Sequence, residues 1–521
     1  MYSTSGAFGL LPASPPRVSR HREKWQIILG QPMSLVENAD PHILVRDMEL
    51  LVIVKRDCET CQSVAPVLSL LKRAVPTTIY SQDDPSFPEA TCGARDDRML
   101  EESWHRKIEI VPTIIRLEDG IETARVEGWD RDAWQRVTSQ TGLGPDLPAF
   151  KPGCGSRSVE PGMPERLALQ YGGVHLASRA IEVDETEDPM EVAYERGWSD
   201  GLPIVPPTDL RIARMLAGTD RKSDETIGLI PPNLAKCTIE KVAISAVMAG
   251  CRPEYMPVVI AVIEAALRPD FSMHGLLATL GFAGPVVIVN GPVTKRIGMN
   301  SKGNALGQGN RANASIGRAL QLLIRNVGGG IPQEVDRSIL GNPGKYTFCF
   351  AEDEDDPDWI PLNVARGARP GASTVTLFHG DGVQGCVAWH SRTPEEVSRS
   401  LAMSLLAVCH PKSCQWSHAV LVLCPDHYEI YHQNGWGRPE IEAALWEALK
   451  RPGRDLIQGA HGVLEGIHPS RIDETVDKFN EGGLLVVRAG GKGAGQSAII
   501  GGWPAQRNNE EIKIVSEEVK L

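Results

Sequence analysis

The chain has 521 residues, 42% of them hydrophobic and 23% charged, and a formal net charge of −12. That length calls for two or three domains, and the composition is that of an ordinary globular protein. The acidic balance offers no broad attraction to phosphate or anionic lipid, and no run approaches the roughly 18 to 20 apolar residues of a bilayer span, so neither nucleic acid nor membrane is an expected partner.

Residues 1–44 read as a loosely ordered lead-in, with Pro12, Pro15 and Pro16 among Ser and Arg. It has no apolar secretory core, which points to the cytosol. Met48 to Val54 (MELLVIV) reads as a buried strand, after which Cys58-Glu-Thr-Cys61 opens a helix with apolar positions at Val64, Val67, Leu68, Leu70 and Leu71. Further strands are expected at Thr77 to Tyr80, Ile114 to Leu117 and Thr123 to Gly128, with helices around Arg98 to Trp104 and Arg131 to Gln140. Together they make a small α/β domain with one mixed sheet over 45–142. Pro and Gly crowd 143–180, which reads as a linker. The remainder, 181–521, reads as a larger α/β domain of unidentified fold with a subdomain seam near 343–358. Helices are expected there at Ile239 to Ala249, Met256 to Leu267, Ala314 to Asn326, Pro394 to Ala407 and Arg438 to Lys450. Buried strands are expected at Val286 to Val289, Thr374 to Phe378, Ala419 to Leu423 and Leu484 to Val487.

Eleven cysteines, an odd number without an export signal, fit a disulfide framework poorly and suit individual reactive thiols better. Cys58 stands at a helix N-terminus, where the dipole and unpaired N–H groups favour the thiolate. Cys61, one turn on, is placed to resolve a mixed disulfide. The strand before Cys58, the C-x-x-C, and Ile110-Val-Pro-Thr113 ahead of a strand resemble the thioredoxin superfamily over 45–142. The resemblance implies a redox-active disulfide and a cis Pro112 packed beside the dithiol. It departs from the family at Asp57, where a Trp is usual, and at Glu59-Thr60 in place of Gly-Pro. Two carboxylates flanking Cys58 oppose its ionisation while Lys55 and Arg56 favour it. If the carboxylates prevail, the couple lies toward the reducing end of the family range. Structural or zinc-binding cysteines are the alternative, with Cys92 and His105 as the local further ligands. Gly197-Trp-Ser-Asp-Gly-Leu-Pro-Ile-Val-Pro-Pro-Thr208, Ala246 to Tyr255 and Pro343 to Glu352 resemble an environmental bacterial family labelled thioredoxin-like, which names no substrate. Gly-Cys154-Gly-Ser more distantly resembles bacterial proteins named for a Sec-Gly-Ser-Cys motif.

Cys154, between glycines, reads as a relay thiol for the Cys58/Cys61 pair or as an incidental turn cysteine. Cys251, flanked by Gly250 and Arg252, is a candidate second nucleophile with His274 as its base; the alternative is a buried core cysteine and a core histidine. Gly307-Gln-Gly309-Asn-Arg-Ala312 spells a dinucleotide fingerprint, but the preceding strand ends too far back at Val289. What remains is Asn310, Arg311 and Asn313 at a helix N-terminus, suited to a carboxylate or phosphate, or else a tight loop. In Gly490 to Ser497, Gln496 replaces the lysine of a phosphate loop, which argues against nucleotide hydrolysis and leaves Gly491, Gly493, Gly495 and Ser497 as a candidate anion cradle. Cys409, His410, Cys414, His418, Cys424 and His427 gather metal-type ligands at irregular spacing. The function expected is thiol–disulfide oxidoreduction, with the dithiol serving the larger domain; the partners expected are a thiol or small-molecule substrate, a cellular reductant and further copies of the chain in a homo-oligomer. Two alternatives stand beside it: a thiol-dependent lyase, hydrolase or transferase in the large domain, and a thiol or metal sensor.

Overall fold

In the computed structural model, the described residues are 48–89, 93–502, 506–507, 510–511 and 513–521. The expected lead-in and Cys92 lie outside them. Five consecutive apolar residues, Leu50 to Val54, are each at most 4% exposed, so β1 (Met48–Val54) is a central strand covered on both faces. α1 (Glu59–Ala74) follows, burying Cys61, Val64, Val67, Leu68 and Leu71 along one stripe. The chain continues through β2 (Thr77–Ser81), β3 (Arg95–Asp96), α2 (Glu101–His105), β4 (Ile110–Val111), β5 (Thr113–Glu118), β6 (Ile121–Glu127), β7 (Trp129–Asp130) and α3 (Arg131–Thr138). The sheet order is β3-β2-β1-β5-β6. β1 runs parallel to β2 and antiparallel to β5. Trp129 and Trp134, both buried, meet edge to face at 5.0 Å beneath α3.

The Pro/Gly-rich stretch is not linker throughout. Its first part adds β8 (Phe150–Lys151) against β7 and β9 (Cys154–Gly155) against β4. The Gln82 amide donates to Ser156 Oγ at 2.6 Å and accepts the Arg157 N–H at 3.0 Å. These contacts sew 150–157 onto the first sheet as a strap. α4 (Met163–Tyr171) leads away from it.

Beyond it come α5 (Pro189–Glu195), α6 (Asp209–Leu216), the hairpin β10 (Thr226–Ile230) and β11 (Ala235–Thr238), α7 (Ile239–Ala249), α8 (Met256–Ala266), α9 (Met273–Ala278), β12 (Gly284–Asn290), α10 (Val293–Arg296) and α11 (Arg311–Leu323). Then follow β13 (Cys349–Ala351), α12 (Leu362–Ala365), β14 (Thr374–Val387), α13 (Pro394–Leu405), β15 (Ala419–Leu423), α14 (Pro425–Gln433), α15 (Arg438–Ala448), β16 (Arg451–Pro452), α16 (Gly453–Leu456) and β17 (Thr475–Val476). The chain closes with β18 (Leu484–Arg488), β19 (Gln496–Gly502), β20 (Gln506–Arg507), β21 (Glu510–Glu511) and β22 (Val515–Glu518). The second sheet is mixed, ordered β13-β12-β14-β19-β15-β18, with β22 also on β14.

β14 shifts register between Gly380 and Gly382, so its first half serves β12 and β22 and its second half serves β19. The 343–358 stretch carries β13 into the sheet, and beyond β13 the Asp353 N–H donates to the Arg488 carbonyl at 2.7 Å. α7, α8 and α11 form one buried core with β12 and the start of β14, and α13, α14 and α15 form another with β15 and β18. No helix of the described residues is long and apolar enough to cross a membrane.

Candidate functional site

β1 ends at Val54 and α1 begins at Glu59, which leaves Cys58 as the N-cap residue in extended backbone. Its Sγ accepts the Cys61 N–H at 3.3 Å and lies 3.5 Å from the Val111 carbonyl oxygen. Cys58 is 3% exposed and Cys61 0%. The Cys61 thiol, donating to Cys58, is the largest influence holding the Cys58 thiol down at about 5, against burial; the Cys154 thiol and the N–H groups of Cys61 and Thr60 assist. Burial first, then the hydrogen bond to Cys58 and its charge, push Cys61 far up. One sulfur is poised as thiolate and its neighbour is kept protonated.

Asp57 and Glu59 are both exposed, and Glu59 sits 3.7 Å from Lys151. Neither is among the leading influences on Cys58, because water screens exposed charges that short hydrogen bonds in a buried site escape.

Cys154 completes the site. On β9 it pairs with Val111 of β4, the residue whose carbonyl faces Cys58. Burial, then the hydrogen bond to Cys58 and its charge, raise the Cys154 thiol, and Lys55 counteracts them. The strap is pinned by Thr60 Oγ1 donating to the Pro152 carbonyl at 2.6 Å and by Lys151 Nζ donating to Ser63 Oγ at 3.2 Å. A Cβ on Gly153 would stand 2.7 Å from the Val111 oxygen and 2.4 Å from Ile110 Cγ2, so only glycine lets the backbone pass this close. Pro112 follows Val111 through a cis peptide bond. The Cys58/Cys61 turn, the loop of Val111 and Pro112, and Cys154 thus come together from three separate stretches of chain.

The other predicted site residues lie elsewhere. Cys251 belongs to the core of the large unit, where burial pushes its thiol up to about 12 despite Arg311 nearby; it is corrected here from a nucleophile to a core thiol. His274 is exposed on α9. Asn310 and Asn313 need correction as ligand donors, because their side-chain amides are already engaged, and Arg311 is tied to the loop through its Nε. Asn310 caps α11 by accepting the Asn313 N–H at 3.0 Å and donates to the Gly298 carbonyl at 2.7 Å. Asn313 donates to the Asn300 and Ala305 carbonyls, and Arg311 Nε donates to the Gly250 carbonyl at 2.8 Å. The tight-loop reading is the one this loop follows.

The glycine cradle does form, but its anion is internal. The Asp426 carboxylate accepts the Gly493 N–H at 2.9 Å and the Gly495 N–H at 3.4 Å. Gly491 packs on the 300s loop, where its Cβ would lie 3.1 Å from Gly303 Cα. Ser497 Oγ accepts the Cys424 N–H at 3.0 Å and lies within hydrogen-bond distance of His427 Nδ1, 2.7 Å away. The sequence reading missed Asp426 as the cradle's occupant; its signal was Cys424-Pro-Asp-His427 directly after a buried strand, a helix start with an acidic first turn. Replacing Asp426 by Ala is expected to cost about 1 to 2 kcal/mol, read as a lower Tm; an unchanged Tm contradicts the cradle's role.

The Cys and His residues of 409–427 do not converge on one point. Cys409 Sγ reaches the Gly502 carbonyl at 3.8 Å, while His427 is committed to Ser497. Among the described residues, the metal-type groups that meet within 4.8 Å are Asp356, Asp358 and His432. Compared with protein-family models and with curated proteins, the chain matches none.

Proposed function

We propose that residues 48–157 are a thioredoxin-like redox unit in which Cys58 attacks the disulfide of a thiol or small-molecule substrate. The observation that carries this is the Cys58 sulfur at the start of α1, with its thiol at about 5 and the Cys61 thiol donating to it. The reading is supported by the parallel β1–β2 pair joined through α1, the antiparallel β5 and β6 on the other side, and the Val111–Pro112 loop against the dithiol. Cys58 thiolate displaces one sulfur of the substrate; a second protein thiol then attacks Cys58 Sγ and releases the other. The substrate gains two electrons, the protein gains a disulfide, and a cellular reductant resets it.

The large unit offers no rival thiolate of this kind. Burial pushes Cys237, Cys251 and Cys386 each up to about 12. The test is to expose the reduced full chain to excess glutathione disulfide and map its thiols. The expected result is loss of the Cys58 thiol with release of two glutathione thiols per chain from this site. A Cys58 thiol that survives overturns the proposal.

A further inference from the structure

Three thiols, not two, meet at this site, and they differ in what restrains them. Cys61 is fully buried on α1, and burial leads the causes that keep it protonated. Cys154 is half-buried on the strap. Val111 fixes the geometry: its carbonyl is 3.5 Å from Cys58 Sγ and its β partner is Cys154. A side chain on Gly153 would collide with the Val111 oxygen, so the glycine lets the strap run close enough to place Cys154 beside Cys58.

We propose that Cys154, rather than Cys61, is the thiol that first resolves the mixed disulfide on Cys58, and that Cys61 then takes over the bond. This deepens the redox reading above and rests on it. Once Cys58 carries a substrate sulfur it has no charge, so the hydrogen bond to its thiolate and the repulsion that restrain Cys154 both disappear. The same two restraints vanish for Cys61; burial, the leading restraint on both thiols, remains, and it is complete for Cys61 and only partial for Cys154. Cys154 loses its proton to solvent or to the departing thiolate and attacks Cys58 Sγ. A Cys58–Cys154 bond forms, the bond from Cys58 to the substrate breaks, and the second substrate sulfur leaves as thiolate. Attack by Cys61 on Cys58 Sγ then forms Cys58–Cys61 and frees Cys154 as thiol. Each transfer exchanges one sulfur–sulfur bond for another, and the net change remains two electrons to the substrate disulfide.

The experiment uses reduced full chain, glutathione disulfide as the probe, acid quenching at successive times, and peptide mapping by mass spectrometry. Cys58–Cys61 lies within one tryptic peptide, whereas Cys58–Cys154 joins two. In the unaltered chain Cys58–Cys154 is expected early and Cys58–Cys61 late. In Cys61→Ser, Cys58–Cys154 is expected to accumulate, with the glutathione adduct clearing within about threefold of the unaltered rate. In Cys154→Ser, the adduct on Cys58 is expected to persist about tenfold longer. Clearance at the unaltered rate in Cys154→Ser, or a lasting adduct in Cys61→Ser, overturns the proposal while leaving the redox reading intact. Absence of any adduct or disulfide at Cys58 in all three chains overturns that reading instead. Unaltered Tm values for both variants show that each strap and helix is folded.

Discussion

Cys58→Ser is expected to abolish disulfide exchange at this site, a loss of at least about a thousandfold, because a serine hydroxyl does not ionise in the range where the Cys58 thiolate acts. The measurement is turnover of glutathione disulfide by the full chain with a chemical reductant supplied. Retention of a tenth of the activity would contradict the account. The same substitution carries a signature in stability. The Cys58 thiol lies at about 5 in the folded chain, against an ordinary value of about 8.5. A depressed value stabilises the reduced fold fully above pH 9 and progressively less as pH falls, vanishing below about pH 5. The reduced chain is therefore expected to lose stability between pH 9 and pH 5 by a component that Cys58→Ser lacks. Stabilising the reduced form also raises the reduction potential.

Arg438→Met is expected to be the most damaging single change in the large unit, at about 3 to 5 kcal/mol. Arg438 and Glu352 form a buried ion pair at 3.0 Å, with side chains 2% and 0% exposed. Arg438 Nε also donates to the Ile360 carbonyl at 2.7 Å, and the guanidinium stacks 4.4 Å over Trp359. Glu352 in turn accepts from Trp359 Nε1 at 2.9 Å and the Leu362 N–H at 2.7 Å. Met fills the volume but strands the Glu352 charge without its cation. The double variant Arg438→Met with Glu352→Gln is expected to recover more than half the loss, since the pair then leaves no charge of its own unpartnered. Denaturant unfolding reads both, and a loss under about 1 kcal/mol for the single variant contradicts this reading. Exchange at Cys58 should be unchanged, because the dithiol belongs to the separate core around α1.

The elements that were legible in sequence are those whose burial is local. The MELLVIV run gave β1 at its observed bounds, and the 3.6-residue spacing after Cys58 gave α1 with Cys58 at its cap. The strap was not legible. Its strands, β8 and β9, are two residues each, too short for any period, and their Pro and Gly residues look the same in a strap as in a linker. Cys154 stood out by its glycine neighbours, but its place beside Val111 depends on a nonlocal register. Cys251 misled because an adjacent arginine is visible in sequence while burial of the thiol is not. The glycine cradle was visible, yet its ligand, Asp426, lies 67 residues from Gly493, and a loop already filled by its own chain reads the same as an empty one.

The central claim is that Cys58 is a thiolate at neutral pH, and the pH dependence of its alkylation tests it most directly. The full reduced chain is pulsed with iodoacetamide across pH 3.5 to 10, and modification is counted on the Cys58 peptide. The rate is expected to rise through a midpoint at about 5 and to be flat from about pH 6.5 upward. A midpoint near the ordinary thiol value of about 8.5 would contradict the account, because the hydrogen bonds from Cys61 and Cys154 would then do nothing to hold the charge.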